Sequence, residues 1–215
     1  MEYYIKFYAP VTSNTAIQLQ QAVEQLLRQG LVKLHLLLST PGGSVHDGIS
    51  LYNFLKGLPI ETCTYNFGSV DSIGVVLFCA GSQRFSVQNA RFLLHPVAMQ
   101  VFSNQVFDEP GIEEKINALK ADQKNIANVI SETTGKNVDE ILSLIHKRTT
   151  LDPDAALEMS LVTEIKQNLV PAGANLTSIY EPLIQQQQVF FPMRGFTDIG
   201  QQNFSTITQS YSRLR

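Results

Sequence analysis

Tryptophan is absent from the 215-residue chain, and cysteine occurs only twice, as Cys63 and Cys79. Both cysteines sit in apolar segments without metal-like spacing, which favours buried thiols in a reducing compartment over a disulfide. Charge of one sign is missing too: 16 Lys and Arg against 19 Asp and Glu leave a formal charge of −3. That balance gives no electrostatic footprint for nucleic acid or an anionic membrane. No apolar run approaches the length that spans a bilayer. The start, MEYYIKFYAP, lacks a basic region followed by a continuous apolar stretch, so no signal peptide is expected. These absences point to a cytoplasmic protein of one good-sized domain, or a domain with an appendage.

What is present is an alternation of strand and helix patterns. Tyr3–Tyr8 is rich in aromatics and reads as a strand, ended by Pro10 and a cluster of capping residues from Thr12 to Thr15. Ala16, Leu19, Val23, Leu26 and Leu27 recur at helical spacing, with Gly30 where a C-terminal cap belongs. Lys33–Ser39 is a short apolar run of the kind covered on both faces of a parallel sheet. A helix through Val45, Ile49, Tyr52 and Leu55, a strand over Ile60–Asn66 and a buried helix over Ser72–Ala80 follow. Arg84–Val87 and Arg91–His95 read as short strands, and the order predicts right-handed βαβ crossovers. Val97–Phe107 reads as extended. A long helix then runs from Pro110 to Thr134 with one apolar face, stopped by Gly135. Two short helices, Val138–Lys147 and Pro153–Met159, and a last strand, Leu161–Ile165, complete a domain over residues 1–166. Residues 167–215 read as a Gln-rich appendage, either disordered or packed on a neighbour; its Val189-Phe190-Phe191 cluster favours some docking.

Residues able to do chemistry stand at the ends of these elements. STPGGSVHDG, residues 39–48, closes a buried strand on Gly42 and Gly43 and opens a helix at once. Such a turn brings backbone N–H groups close to a ligand with no Cβ in the way. FGSVDSIGVV, residues 67–76, sets Ser72 between Gly68 and Gly74 at a strand-to-helix turn. That is a suitable place for an acyl-transfer nucleophile, with an amide beside it for developing negative charge. The plainer reading of Ser72 is a helix N-cap. His95 ends a strand just before Pro96 and is positioned to act as general base, or is simply a surface histidine at a strand terminus.

Together, STPGGSVHDGISLYNFL, GSVDSIGVVLFCAGSQRFSVQNARFLLH and the segment from Thr134-Gly135 to Ile165 resemble the proteolytic subunit of the Clp protease, in the Clp/crotonase superfamily. The resemblance covers roughly residues 3–166. It implies an α/β fold of repeated ββα-type units around a mainly parallel sheet, with a handle strand and long handle helix over about 97–134. It implies a serine endopeptidase acting on peptides or unfolded proteins inside an oligomeric chamber, a heptameric ring that is single or doubled. Ser72 would be the nucleophile and His95 the base. The amides of Gly43 and Ile73 would form the oxyanion hole, and Gly42, Gly43, Pro96 and Val97 would line the substrate site. No metal or organic cofactor is implied.

The sequence departs from the family pattern in four places. Arg148 falls where the family carries the Asp that orients the histidine; Asp152 lies four residues later and is also a natural N-cap before Pro153. Asp71 precedes Ser72 where a small residue is usual, and the third member of the triad is therefore Asp152, Asp71 or absent. The segment after His95 is long and glycine-free. The chain begins almost at its first strand, which leaves little sequence for the axial loops that engage a hexameric ATPase unfoldase. Two competing readings follow: a weak or inactive Clp-like scaffold, and a crotonase-type acyl-CoA enzyme, which shares the fold but works with a carboxylate base.

Overall fold

The central strand of the sheet is the one whose sequence is most continuously apolar. In the computed structural model, which describes residues 1–99, 101 and 105–181, β2 (Lys33–Thr40) lies between β1 (Glu2–Tyr8) and β3 (Glu61–Asp71), parallel to both. Burial on both faces explains why KLHLLLST lacks the polar alternation of a half-exposed strand. Among the described residues the sheet has eight strands, in the order β6-β5-β3-β2-β1-β8. Here β5 is Arg91–Leu93, β6 is Thr150–Leu151 and β8 is Leu176–Tyr180. Off this path, β4 (Gln83–Ser86) pairs with β3 and with β7 (Glu164–Ile165). Every pairing is parallel except β5 with β6.

The crossover helices are delimited by the caps that the sequence signals. α1 (Ser13–Arg28) starts at a reciprocal capping box between Thr12 and Thr15 and buries Ala16, Leu19, Val23 and Leu26. It ends at Gly30, whose φ of 85° is left-handed. α2 (Val45–Gly57) is capped by the Ser44 hydroxyl, which accepts from the Asp47 amide. α3 (Ile73–Phe78) is wholly buried. α4 (Glu109–Thr134) is capped by Asp108 with Pro110 in its first turn, and ends at Gly135 with φ 71°. α5 (Val138–His146) and α6 (Pro153–Glu158) follow. One hydrophobic core joins the inner faces of α1–α3, the C-terminal part of α4, and α5 to the sheet.

Three differences from the sequence reading have physical causes. β3 does not stop at Asn66 but runs to Asp71, because Gly68 allows close approach to Ser39 beside a register shift in β2. The extra length lets β3 pair first with β4, over Cys63–Asn66, and then with β5, over Ser69–Asp71. At 97–99, 101 and 105–107 the chain carries no regular ladder, while residues 100 and 102–104 of the expected extended segment lie outside the described residues. Finally, β8 adds to the outer edge of β1, with Ile179 buried in the core, so the compact unit runs Met1–Glu181. The Val189-Phe190-Phe191 cluster and the rest of 182–215 lie outside the described residues.

The sheet face away from the helices carries a smaller cluster of Tyr4, Leu37, Cys63, Tyr65 and Phe85. His35 is buried here, stacked on Tyr4 with ring centroids 4.2 Å apart. Its Nε2–H donates to the Glu2 carboxylate at 3.2 Å, and its Nδ1 accepts from the Tyr65 hydroxyl at 2.7 Å. Burial outweighs the Glu2 carboxylate and lowers the His35 pKa. The unfolded chain therefore takes up this proton at a higher pH than the folded one. The stabilisation is fully present above the unfolded value, about 6.5, and is lost as pH falls through the lower folded value. Between pH 7.5 and 5 the urea midpoint of the wild type should drop further than that of His35→Gln; equal slopes would dismiss the effect.

Candidate functional site

The glycine pair and the serine turn are assembled against each other. Gly42 has φ 86°, a left-handed value, and a Cβ there would stand 2.7 Å from the Cβ of Ser72 and 2.8 Å from the carbonyl oxygen of Asp71. A Cβ on Gly43, at φ 146°, would collide with the backbone carbonyl of Val11. The two glycines thus answer to different neighbours: Gly42 makes room for the serine, and Gly43 makes room for the loop after β1.

The contact with Val11 also aims the Gly43 amide. Val11 N–H donates to the Gly42 carbonyl at 2.7 Å, and Ser44 N–H donates to the Val11 carbonyl at 2.8 Å. In such a parallel bridge the bonds use the residues on either side of Gly43. Its own N–H therefore points away from Val11.

Ser72 holds an unusual backbone conformation, φ 59° and ψ −129°. A non-glycine residue in that region is strained, by about 1–3 kcal/mol, and persists only where its surroundings fix it. Its N–H donates to the Leu93 carbonyl at 2.8 Å, tying the turn to β5, and its carbonyl accepts from Val75. Although Ser72 stands at the N-cap position of α3, its side chain makes no capping bond. The plainer reading of this serine, a helix cap, therefore lacks its defining contact. Ile73 follows at once, fully buried, packed where a Cβ on Gly48 would collide with it.

His95 lies two residues beyond β5 and is half-buried. Its Nδ1 is 2.9 Å from the carbonyl oxygen of Pro96. A carbonyl only accepts, so Nδ1 carries the proton and Nε2 is left as the lone-pair nitrogen of the neutral ring. Pro96 and Val97 are half-buried beside it.

The carboxylates considered as a third member occupy other posts. Asp152 is exposed, and its Oδ1 accepts from the Ala155 amide at 2.8 Å as the cap of α6. Asp71 is buried, with Oδ1 accepting from the Ser69 hydroxyl at 2.8 Å and Oδ2 paired with Arg91 Nη2 at 2.9 Å. Arg148 holds a left-handed φ of 54°. In the antiparallel pairing of β5 with β6, Leu93 faces Thr150, and Leu94 N–H continues the ladder to the Thr149 carbonyl. Arg148 itself lies outside that ladder, in the turn after α5, where its N–H donates to the Ile145 carbonyl at 3.1 Å and the Thr149 N–H donates to the Leu144 carbonyl. Reading the sequence could not assign Arg91, because its partner depends on which strands lie side by side.

The other polar candidates serve structure. Burial pushes the thiols of Cys63 and Cys79 up to about 11, which leaves both inert as nucleophiles near neutral pH. They are free and buried. Among the described residues no three His, Cys, Asp or Glu side chains gather as a metal site, and no helix is long and apolar enough to cross a membrane.

A mainly parallel sheet carrying a strained serine at a strand-to-helix turn, a glycine pair beside it and a histidine off the next strand defines an α/β protein of the Clp/crotonase-like class. The chain belongs to the Clp protease family, whose model matches residues 1–168. It is 27% identical over 139 residues to an ATP-dependent Clp protease proteolytic subunit of Bdellovibrio bacteriovorus, a match covering 63% of this chain and 64% of that relative. It is 28% identical over 148 residues to ATP-dependent Clp protease proteolytic subunit 1 of Leifsonia xyli, covering 67% of this chain and 73% of the relative. Among solved structures, a mutant ClpP1 from Listeria monocytogenes shares the fold with a TM-score of 0.69 at 20% identity, over 77% of this chain and 91% of that one.

Proposed function

We propose that the chain is a serine endopeptidase of the Clp type. It would hydrolyse peptides or unfolded proteins, with Ser72 as nucleophile and His95 as base. The observation that carries the reading is the strained Ser72, wedged against Gly42 and not used as a cap. Ser72 Oγ attacks the scissile carbonyl carbon and its proton passes to His95 Nε2. The N–H groups of Gly43 and Ile73 hold the oxyanion. Collapse expels the amine, which takes the proton from His95, and water hydrolyses the acyl ester by the same route. Gly42, Gly43, Pro96 and Val97 would flank the bound chain. The Pro96 carbonyl supplies the tautomer that a carboxylate supplies elsewhere, so the reaction needs no third acidic residue to begin.

Family membership supports an oligomeric chamber, and α4 supplies apolar surface for it. Ile112 and Ile116 on its N-terminal half are 50% and 44% exposed, and neighbouring Val106 is 96% exposed. Such a face is covered in a ring of seven, single or doubled. Hydrolysis would be ATP-dependent only with an ATPase unfoldase as partner, and free buried thiols suit a cytoplasmic setting.

The test is labelling of the purified chain with a fluorophosphonate, with the adduct mapped by mass spectrometry. Modification of Ser72, lost in Ser72→Ala, is the expected result. A folded oligomer that takes up no probe would support the scaffold reading instead, for which Arg148, standing where the family pattern has an acidic residue, is the specific sequence feature. Turnover of an acyl thioester without labelling would support the crotonase-type reading.

A further inference from the structure

The strand that carries the serine and the strand that leads to the histidine share a short ladder. β3 and β5 pair through three residues only: Ser69 with Arg91, Val70 with Phe92, and Asp71 with Leu93. Across this ladder lies a side-chain link that the reaction does not use. Arg91 stands opposite Ser69 but reaches forward along the sheet, so that Nη2 meets Asp71 Oδ2 at 2.9 Å. The Ser69 hydroxyl donates to the other oxygen, Oδ1, at 2.8 Å. Both carboxylate oxygens are thereby committed to partners other than His95. The Asp71 side chain is 11% exposed and that of Arg91 51% exposed, so the carboxylate is the buried member and depends on its partner.

We propose that Asp71, Arg91 and Ser69 form a cross-strand clamp that positions Ser72 against His95. This rests on the reading of those two residues as nucleophile and base. The forward reach is a diagonal brace: sliding β5 backward along β3 stretches the Arg91–Asp71 contact, and sliding it forward removes the offset that the Arg91 side chain spans. One residue of slip would move the strands by about 3.3 Å, enough to shift His95 relative to Ser72 by more than a hydrogen bond tolerates. The brace ends at Asp71, the residue that precedes the strained serine, and the Ser72 amide bonds to Leu93 in the same strand as Arg91. The clamp thus fixes both the register of the two strands and the lead into the turn. Asp71 and Arg91 are positioning residues and touch no reacting atom.

The experiment is the kinetics of fluorophosphonate modification of the full chain, read as the maximal rate constant and the half-saturating probe concentration. Wild type, Asp71→Asn, Arg91→Gln, the double variant and Arg91→Lys are compared. Circular dichroism and the urea midpoint of each variant, measured alongside, separate positioning from folding. Each single variant should lower the maximal rate constant about tenfold, since a misplacement of 1 Å costs up to about a hundredfold. Half-saturation should stay unchanged. The double variant should be no slower than either single one, because the pair acts as a unit, and Arg91→Lys should recover part of the rate. Wild-type rate constants in Asp71→Asn and Arg91→Gln, or multiplicative losses in the double variant, would overturn the clamp and leave the Ser72 reading standing. No labelling of the wild type at all would overturn both.

Discussion

Replacing Gly42 with alanine should abolish the reaction while leaving the protein folded. The added methyl would lie 2.7 Å from the Cβ of Ser72 and 2.8 Å from the Asp71 carbonyl oxygen. Neither is the loose end of a long side chain, so backbone must move. The φ of 86° is also one that an alanine adopts only with strain. The displacement falls on the serine or on the glycine loop that aims the Gly43 amide, and each outcome harms catalysis. A shift of 1 Å costs about a hundredfold, and losing one oxyanion donor costs about 10²–10³. We expect a loss of about 10³ in the rate of fluorophosphonate modification. Gly57→Ala is the matched control, because a Cβ at Gly57 has nothing within 4 Å. Circular dichroism of Gly42→Ala should stay native, with the melting midpoint lowered by the strain of about 1–3 kcal/mol. A Gly42→Ala protein that labels at the normal rate would dismiss the packing of the glycine loop onto Ser72 as a functional constraint.

The second pair of substitutions acts on the base from opposite directions. In the proposed mechanism His95 accepts the proton from Ser72 Oγ, and His95→Ala removes that group. It should cost about 10³ or more in the same rate, the scale on which nucleophile and base act as one unit. Arg148→Asp should do the reverse. Arg148 adjoins Thr149, whose carbonyl accepts from the Leu94 N–H next to His95, so a carboxylate at 148 should favour the imidazolium formed as the serine proton is transferred. The left-handed φ of 54° at this position does not oppose the change, since Asp is among the residues that tolerate it. The gain should be about tenfold and no larger, because an attraction of about 1.4 kcal/mol is worth a factor of ten. The Pro96 carbonyl already fixes the tautomer. A rate for Arg148→Asp at or below wild type, with His95→Ala still inactive, would mean that the carbonyl alone orients this histidine. A rate unchanged in His95→Ala would remove His95 from the mechanism.

Local signals in the sequence determined a great deal of this protein. The apolar run in β2, the period of α1 and the caps at Thr12, Gly30 and Gly135 depend on near neighbours, and they placed most elements within a residue or two. The motifs around Gly42-Gly43 and Ser72 carried the family. Tertiary structure decided which residues those motifs meet, because each decisive contact joins residues from separate crossovers. Gly42 is a glycine because Ser72 packs on it, and Gly43 because the Val11 carbonyl does. Asp71, ambiguous in the sequence, is committed to Arg91 only because β5 takes up the length of β3 that β4 leaves free. β8 emerged from a segment with no strong strand signal, since a strand that extends one edge of a parallel sheet needs only one apolar anchor, here Ile179. Side-chain period records which face of an element is buried, but it holds no information about which distant residue covers that face.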